Sequence, residues 1–209
     1  MRLSRRFFVI FVLGLIALPA FAQTTTTTEV ATTTAPAYPR VLLETSAGRI
    51  VVELYPDKAP NTVANFLAYV KDGHYNGTVF HRVIADLLIQ GGAYTPDLQQ
   101  KPERAPIINE ANNGLSNLRG TLASARRPSE KNSATAQFFI NTVDNTQFDY
   151  SGETSAFTAG YCVFGRVVEG MDVLDKIRAV ATAAHAPFAA DVPTTAIVIE
   201  RASALDPMP

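Results

Sequence analysis

Residues 79–92 set Arg82 and Gln90 inside an otherwise largely apolar run, and no other stretch restricts the fold as much. A guanidinium cannot shed its proton to escape burial. It needs a carboxylate partner or a polar task in a half-open groove. The one acid in the run is Asp86, four positions on. Residues 78–83 alternate and are rich in β-branched and aromatic side chains, which predicts a strand. Residues 87–89 predict a second, closed by Gly91 and Gly92. In a continuous strand Phe80, Arg82 and Ile84 would share one face and Val79, His81 and Val83 the other. On this stretch alone Arg82 is either a structural bridge or a working cation.

Around the run the chain reads as short strands and two helices. Residues 41–45, the Ser46-Ala47-Gly48 turn and residues 49–54 predict a β-hairpin. Val63, Phe66, Leu67 and Val70 fall at i, i+3, i+4 and i+7, with Pro60 in the first turn and Gly73 as a stop, so a helix is expected there with one face on the sheet. Asn76-Gly77 is a turn signal. Residues 95–114 are rich in Pro, Asn and Gln without periodicity, a long irregular loop of the kind that carries function in compact domains. Further strands are expected at 120–125, 137–143, 161–168 and 196–201, and a second helix over 171–179. Many short strands with two helices predict a β-barrel or sandwich with helical caps.

The folded part starts near Arg40. Before it, Arg2, Arg5 and Arg6 precede an apolar run over 7–18, and Ala20-Phe21-Ala22 has the small-x-small form of a cleavage site, so residues 1–22 read as a secretory signal peptide cut after Ala22. Residues 23–39 are rich in threonine and read as a flexible linker; residues 204–209 read as a tail. Losing residues 1–22 removes three arginines and no acid and moves the formal charge from −1 to −4. A mildly acidic protein is a poor partner for nucleic acid. After cleavage no stable membrane association is expected, and the export signal implies a periplasmic location. Cys162, the one cysteine, lies in an apolar run and reads as a small buried hydrophobe. His74, His81 and His185 are scattered without metal-ligand spacing, so no metal site is expected. Neither a Gly-x-Ser-x-Gly elbow nor a phosphate-cradling glycine pattern is present. What remains is Arg82, Gln90 and a set of phenylalanines, an inventory suited to a non-covalent reaction in an apolar pocket.

In order from about Arg40 to Ser203 the chain carries Phe80-His81-Arg82-Val83-Ile84, Ile89-Gln90-Gly91-Gly92, Asn109-Glu110-Ala111-Asn112-Asn113-Gly114, Arg119-Gly120-Thr121, Ala136-Gln137-Phe138-Phe139-Ile140-Asn141 and Val163-Phe164-Gly165-Arg166-Val167. These resemble the cyclophilin family of peptidyl-prolyl isomerases, in its secreted bacterial branch. The resemblance implies a mainly β fold, a closed eight-stranded antiparallel β-barrel capped by two α-helices over residues 40–203. It implies Arg82 as catalytic arginine and Gln90 as the glutamine that orients it. Phe139, Leu87, Leu88 and Phe157 would wall the pocket for the substrate proline, with Phe164 supporting it from beneath and Phe80 and His81 as structural companions. Ala125, Arg126 and Gln137 would hold the substrate backbone, and Tyr161 would stand at the pocket edge where many relatives carry histidine.

The chain departs from the family where Ala85-Asp86-Leu87-Leu88 replaces the usual Pro-Gly-Phe-Met, and where Ser124 replaces a common methionine. The resemblance implies a monomer without cofactor, acting on unfolded or flexible proline-containing polypeptides and aiding the folding of exported proteins. The alternative is a module that binds proline segments but isomerises weakly because of the altered 85–88 loop.

Overall fold

The computed structural model describes residues 38–205. The expected signal peptide, most of the linker and the last residues of the tail lie outside them. Strands β1 (Arg40–Thr45) and β2 (Gly48–Leu54) form the expected hairpin, closed where Thr45 Oγ1 donates to Gly48 O at 2.6 Å. Helix α1 (Pro60–Lys71) buries Val63, Phe66, Leu67 and Val70 as the spacing requires. Its N-terminal amides are satisfied from far along the chain, since Asn61 N and Thr62 N donate to the Glu110 carboxylate at 3.1 and 2.8 Å. An acceptor carrying negative charge suits both the unpaired N–H groups and the helix dipole at that end. Part of the long loop therefore serves as a helix cap.

Next come β3 (Thr78–Val79), β4 (Arg82–Ile84), β5 (Leu88–Gly91), β6 (Thr121–Ser124), β7 (Phe138–Asn141) and β8 (Val163–Glu169). Helix α2 (Met171–Arg178), β9 (Thr182–His185), β10 (Phe188–Pro193) and β11 (Val198–Ala204) follow. Nine strands join in the order β3-β11-β1-β2-β8-β6-β7-β5-β4, with each neighbouring pair antiparallel, while β9 and β10 form a separate hairpin. The two ends of the large sheet, β3 and β4, are separated in the chain by Phe80 and His81 alone. A sheet whose outer strands are that close in sequence must curl until its edges approach each other.

The sheet does not close, and the expected eight-stranded barrel is corrected on that point. Nine strands form an open, curled sheet, because the residues at the seam find other backbone partners. Val79 N donates to Tyr94 O at 2.8 Å and Phe80 N to Ile197 O at 3.0 Å. The seam also breaks the strand expected over residues 78–83. Phe80 and Val83 both enter the main core, so the face parity shifts by one between them. Phe80 and Arg82 do not share a face.

That core collects Val41, Leu43, Ile50 and Val52 from the first hairpin, the buried side of α1, and Val173, Leu174 and Ile177 from α2. α1 lies against β11, and α2 against β2, β4 and β5. Period-two alternation then divides the sheet: Ile89, Leu122, Phe138, Ile140 and Phe164 point into the main core, while Leu88, Ala123, Phe139 and Val163 gather in a second cluster on the opposite face.

Candidate active site

The second face is built by register. Arg82 lies opposite Gln90, Gln90 opposite Phe139, Phe139 opposite Ala123 and Ala123 opposite Val163. One row across β4, β5, β7, β6 and β8 thus places a cation, an amide, an aromatic ring and two small apolar side chains side by side. Paired residues in a ladder have Cβ atoms ~4.5–5.5 Å apart, so such a row is a surface with little freedom.

A cavity of about 420 Å³ opens over this row. Phe139 forms its floor, 2% exposed. Phe148 and Tyr161 stand against Phe139 at ring-centroid distances of 6.0 and 5.7 Å, and against each other at 5.2 Å. Leu87 and Leu88 add the aliphatic wall, and Arg82 with Gln90 the polar one. A second, more polar basin of about 590 Å³ adjoins it and shares Gln90, Ala125, Arg126 and Pro128 with it.

Arg82 is half-exposed, its side chain at 43%. Its ion-pair partner among the described residues is Asp191, with Oδ2 3.5 Å from Nε. Asp86, the acid within the run, points away. Its side chain is 84% exposed, with Oδ1 3.6 Å from an Arg178 terminal nitrogen on α2. Ile84 O accepts from Leu87 N at 3.0 Å, which makes residues 84–87 a tight turn with Ala85 and Asp86 at its exposed tip. Asn145 Nδ2 and Thr142 N both donate to Leu87 O, at 2.7 and 3.1 Å, and fix the wall of the cavity.

Several expected roles take a different form in the structure. Gln90 donates from Nε2 to Gln137 Oε1 at 2.9 Å, and among the described residues no hydrogen bond joins it to Arg82. Phe157 is 71% exposed and is not among the cavity residues; the ring at that wall is Phe148, from a 3-10 turn over Thr146–Phe148 too short to show a periodicity that would single it out. Phe164 packs on Phe66 at 5.3 Å in the main core, and the residue behind the pocket is its neighbour Val163. Phe80 is likewise a main-core residue. Arg126 lines both cavities, yet its guanidinium is engaged: Nε donates to Gly160 O at 2.9 Å, and the group lies 4.4 Å over the Tyr161 ring. It clamps the loop behind the pocket. Ala125 lines both basins and its N–H donates to Gln137 O at 3.0 Å.

His81 is 2% exposed and sits against Tyr94 and Phe188 at 4.7 and 5.3 Å, with Nδ1 lacking a hydrogen-bond partner among the described residues. Burial, and then the neighbouring Arg82 charge, push its pKa down to about 4, so the ring is neutral near pH 7. Burial also pushes the Cys162 thiol up to about 12, which makes it an inert core group.

Residues 40–204 match the family of cyclophilin type peptidyl-prolyl cis-trans isomerase/CLD. A peptidyl-prolyl cis-trans isomerase of Streptomyces antibioticus is 55% identical over 165 residues, covering 79% of this chain and 98% of its own length. Peptidyl-prolyl cis-trans isomerase B of Escherichia coli (strain K12) is 54% identical over 160 residues, covering 77% and 96%. A crystal structure of a cyclophilin type peptidyl-prolyl cis-trans isomerase from Cryptosporidium parvum has a TM-score of 0.67 at 24% identity, covering 82% of this chain and 99% of that one, a likeness of fold.

Proposed function

We propose that this chain, which belongs to the cyclophilin type peptidyl-prolyl cis-trans isomerase family, isomerises X-Pro bonds with Arg82 as the donor that stabilises the twisted amide, and that it does so on exported polypeptides. The chain is a peptidyl-prolyl cis-trans isomerase. The assignment of the work to Arg82 rests on one observation. Its terminal nitrogens have no hydrogen-bond partner among the described residues, and the side chain lines an apolar cavity walled by Phe139, Phe148 and Tyr161.

Rotation about a peptide bond costs ~18–20 kcal/mol because the nitrogen lone pair is delocalised into the carbonyl. In the twisted transition state that pair returns to the proline nitrogen and can accept a hydrogen bond. A guanidinium held beside the cavity donates to it there more strongly than to either planar isomer, and this difference is what lowers the barrier. The ring triad holds the pyrrolidine while the preceding carbonyl turns. No covalent bond is made or broken.

In the alternative of a weakly active proline-binding module the altered 85–88 loop impairs catalysis, above all through Asp86 drawing Arg82 away. The Asp86 carboxylate lies beside Arg178 instead, which favours the enzyme. The purified domain should therefore catalyse isomerisation of an X-Pro test peptide, followed by a conformation-selective protease or by NMR exchange. Asp86→Gly should change kcat/KM by less than about twofold, as expected for an exposed, screened charge. Leu87→Phe should raise it several-fold, up to roughly tenfold, by adding a flat contact for the proline ring worth on the order of 1 kcal/mol. An inactive parent rescued by Asp86→Gly would establish the binding-module reading in its place.

Export to the periplasm, through cleavage after Ala22, is part of the same proposal and is supported by the basic start, the apolar run and the small-x-small pattern. Sequencing the amino terminus of the protein recovered from a secreting host should give Gln23 first. Recovery of an intact Met1 chain from the cytoplasm would reject export.

A further inference from the structure

We infer that Asp191, on the β9–β10 hairpin, is a positioning residue for the isomerase reaction: its carboxylate holds the Arg82 guanidinium by the Nε edge and leaves the terminal nitrogens aimed at the substrate. This rests on Arg82 being the donor, as proposed above. The sequence offered no sign of it, since residues 182–193 lack alternation and carry two prolines and several alanines.

Three independent features of the hairpin point to this role. The first is its irregular pairing. Phe188 lies opposite His185, and Val192 opposite Ala183, so β10 uses two more residues than β9 over the same span. Extra residues of this kind bend a strand and turn a side chain out of its regular direction, and they recur beside active sites. The second is the backbone of Asp191 itself, at φ +67°, a left-handed conformation uncommon for residues other than glycine. Such conformations persist where the surroundings enforce them, and they concentrate at functional positions. The third is anchoring. Phe188 packs on His81 and Tyr94 at 5.3 and 5.1 Å, and Val192 is buried in a cluster with Val79 and Leu98. The hairpin is therefore fastened to the residue preceding Arg82, and both partners of the ion pair are placed by packed elements.

The geometry of the pair decides what it does. The closest approach is one carboxylate oxygen to Nε at 3.5 Å, and among the described residues no hydrogen bond joins Asp191 to the terminal nitrogens. A bidentate pair would have occupied a terminal nitrogen as well, and would have competed with the substrate. Between a 43% and a 35% exposed side chain, such a contact adds little to stability. It restricts a long side chain that otherwise samples many rotamers, which is the preorganisation a transition-state donor needs.

The test compares Asp191→Gly, Asp191→Asn and Asp191→Glu in the full domain. Glycine and asparagine both accept the left-handed backbone, so the fold is kept while the charge goes. Asp191→Gly is expected to lower kcat about five- to tenfold with KM little changed, Asp191→Asn to lie between it and the parent, and Asp191→Glu to recover part of the loss. Combined with Arg82→Ala, Asp191→Gly should have no further effect, because its action passes through the guanidinium. An unchanged or increased kcat in folded Asp191→Gly overturns the inference, as does an equal loss in the Arg82→Ala background. Full activity of Arg82→Ala would remove this inference together with the assignment of Arg82, whereas a loss in Arg82→Ala with none in Asp191→Gly would remove this inference alone.

Discussion

Replacing Arg82 with alanine is expected to lower kcat/KM for X-Pro isomerisation by about 10²–10³-fold, the size of effect found when one preorganised donor is removed from a transition state. The fold should be untouched. Arg82 is half-exposed, its ion pair with Asp191 at 3.5 Å lies near the surface, and exposed pairs contribute ~0–1 kcal/mol. Circular dichroism and urea midpoints should therefore match the parent while turnover collapses. Arg82→Lys should retain more activity than alanine yet fall well short of the parent. An ammonium keeps the charge but lacks the planar fork that lets one edge face Asp191 while the other faces the substrate. Because the loss concerns the transition state, peptide affinity measured by titration should change far less than kcat. A folded Arg82→Ala protein with parental turnover would show the arginine to be a structural bridge, the other reading that residues 79–92 permit.

How far the sequence revealed this site depends on whether each residue's position was settled locally. Strand β7 was legible because Phe138, Phe139 and Ile140 are enough to define a strand, and period two then separates Phe139 from its neighbours. α1 was legible from the spacing of Val63, Phe66, Leu67 and Val70. The break at Phe80 and His81 was hidden, since alternation runs smoothly through it and the change of partner from β11 to β5 is a long-range fact. Glu110 caps a helix begun 50 residues earlier, at Pro60, a relation no local pattern carries. Phe148 ends a three-residue 3-10 turn and Phe157 stands in a loop, both without a readable periodicity, so only the folded chain shows which ring turns inward. The β9–β10 hairpin was missed for a related reason. Every residue of β9 is exposed, and the hairpin is held through Phe188 and Val192 rather than by a pattern of its own.

That hairpin also makes the protein sensitive to acid through His81. An imidazole in an unfolded chain titrates near 6.5, whereas burial and then the Arg82 charge hold His81 at about 4 in the fold. Between those values the unfolded chain binds a proton that the native protein excludes. Stability is therefore complete above about pH 6.5 and is lost progressively as the pH falls toward 4, with no further change from this group below that. At ~1.36 kcal/mol per pH unit, the loss from this group between pH 7 and pH 4.5 is about 2–3 kcal/mol, a large share of a domain's ~5–15 kcal/mol. His74 is displaced downward as well, chiefly by burial, so the parent's slope contains a second contribution of the same sign. Urea unfolding of His81→Phe isolates the first. Phenylalanine preserves the packing on Tyr94 and Phe188, and it replaces a ring whose Nδ1 has no hydrogen-bond partner among the described residues. The variant should lose about 2–3 kcal/mol less than the parent over the same pH interval. Protonation of His81 would also place a second cation beside Arg82 and between the rings that fasten the hairpin, so Asp191 should begin to lose its hold before the domain unfolds. Isomerase activity in the parent should accordingly decline at a higher pH than the unfolding transition, and that gap should narrow in His81→Phe. Equal pH slopes for parent and variant would show that His81 is protonated in the native state without penalty.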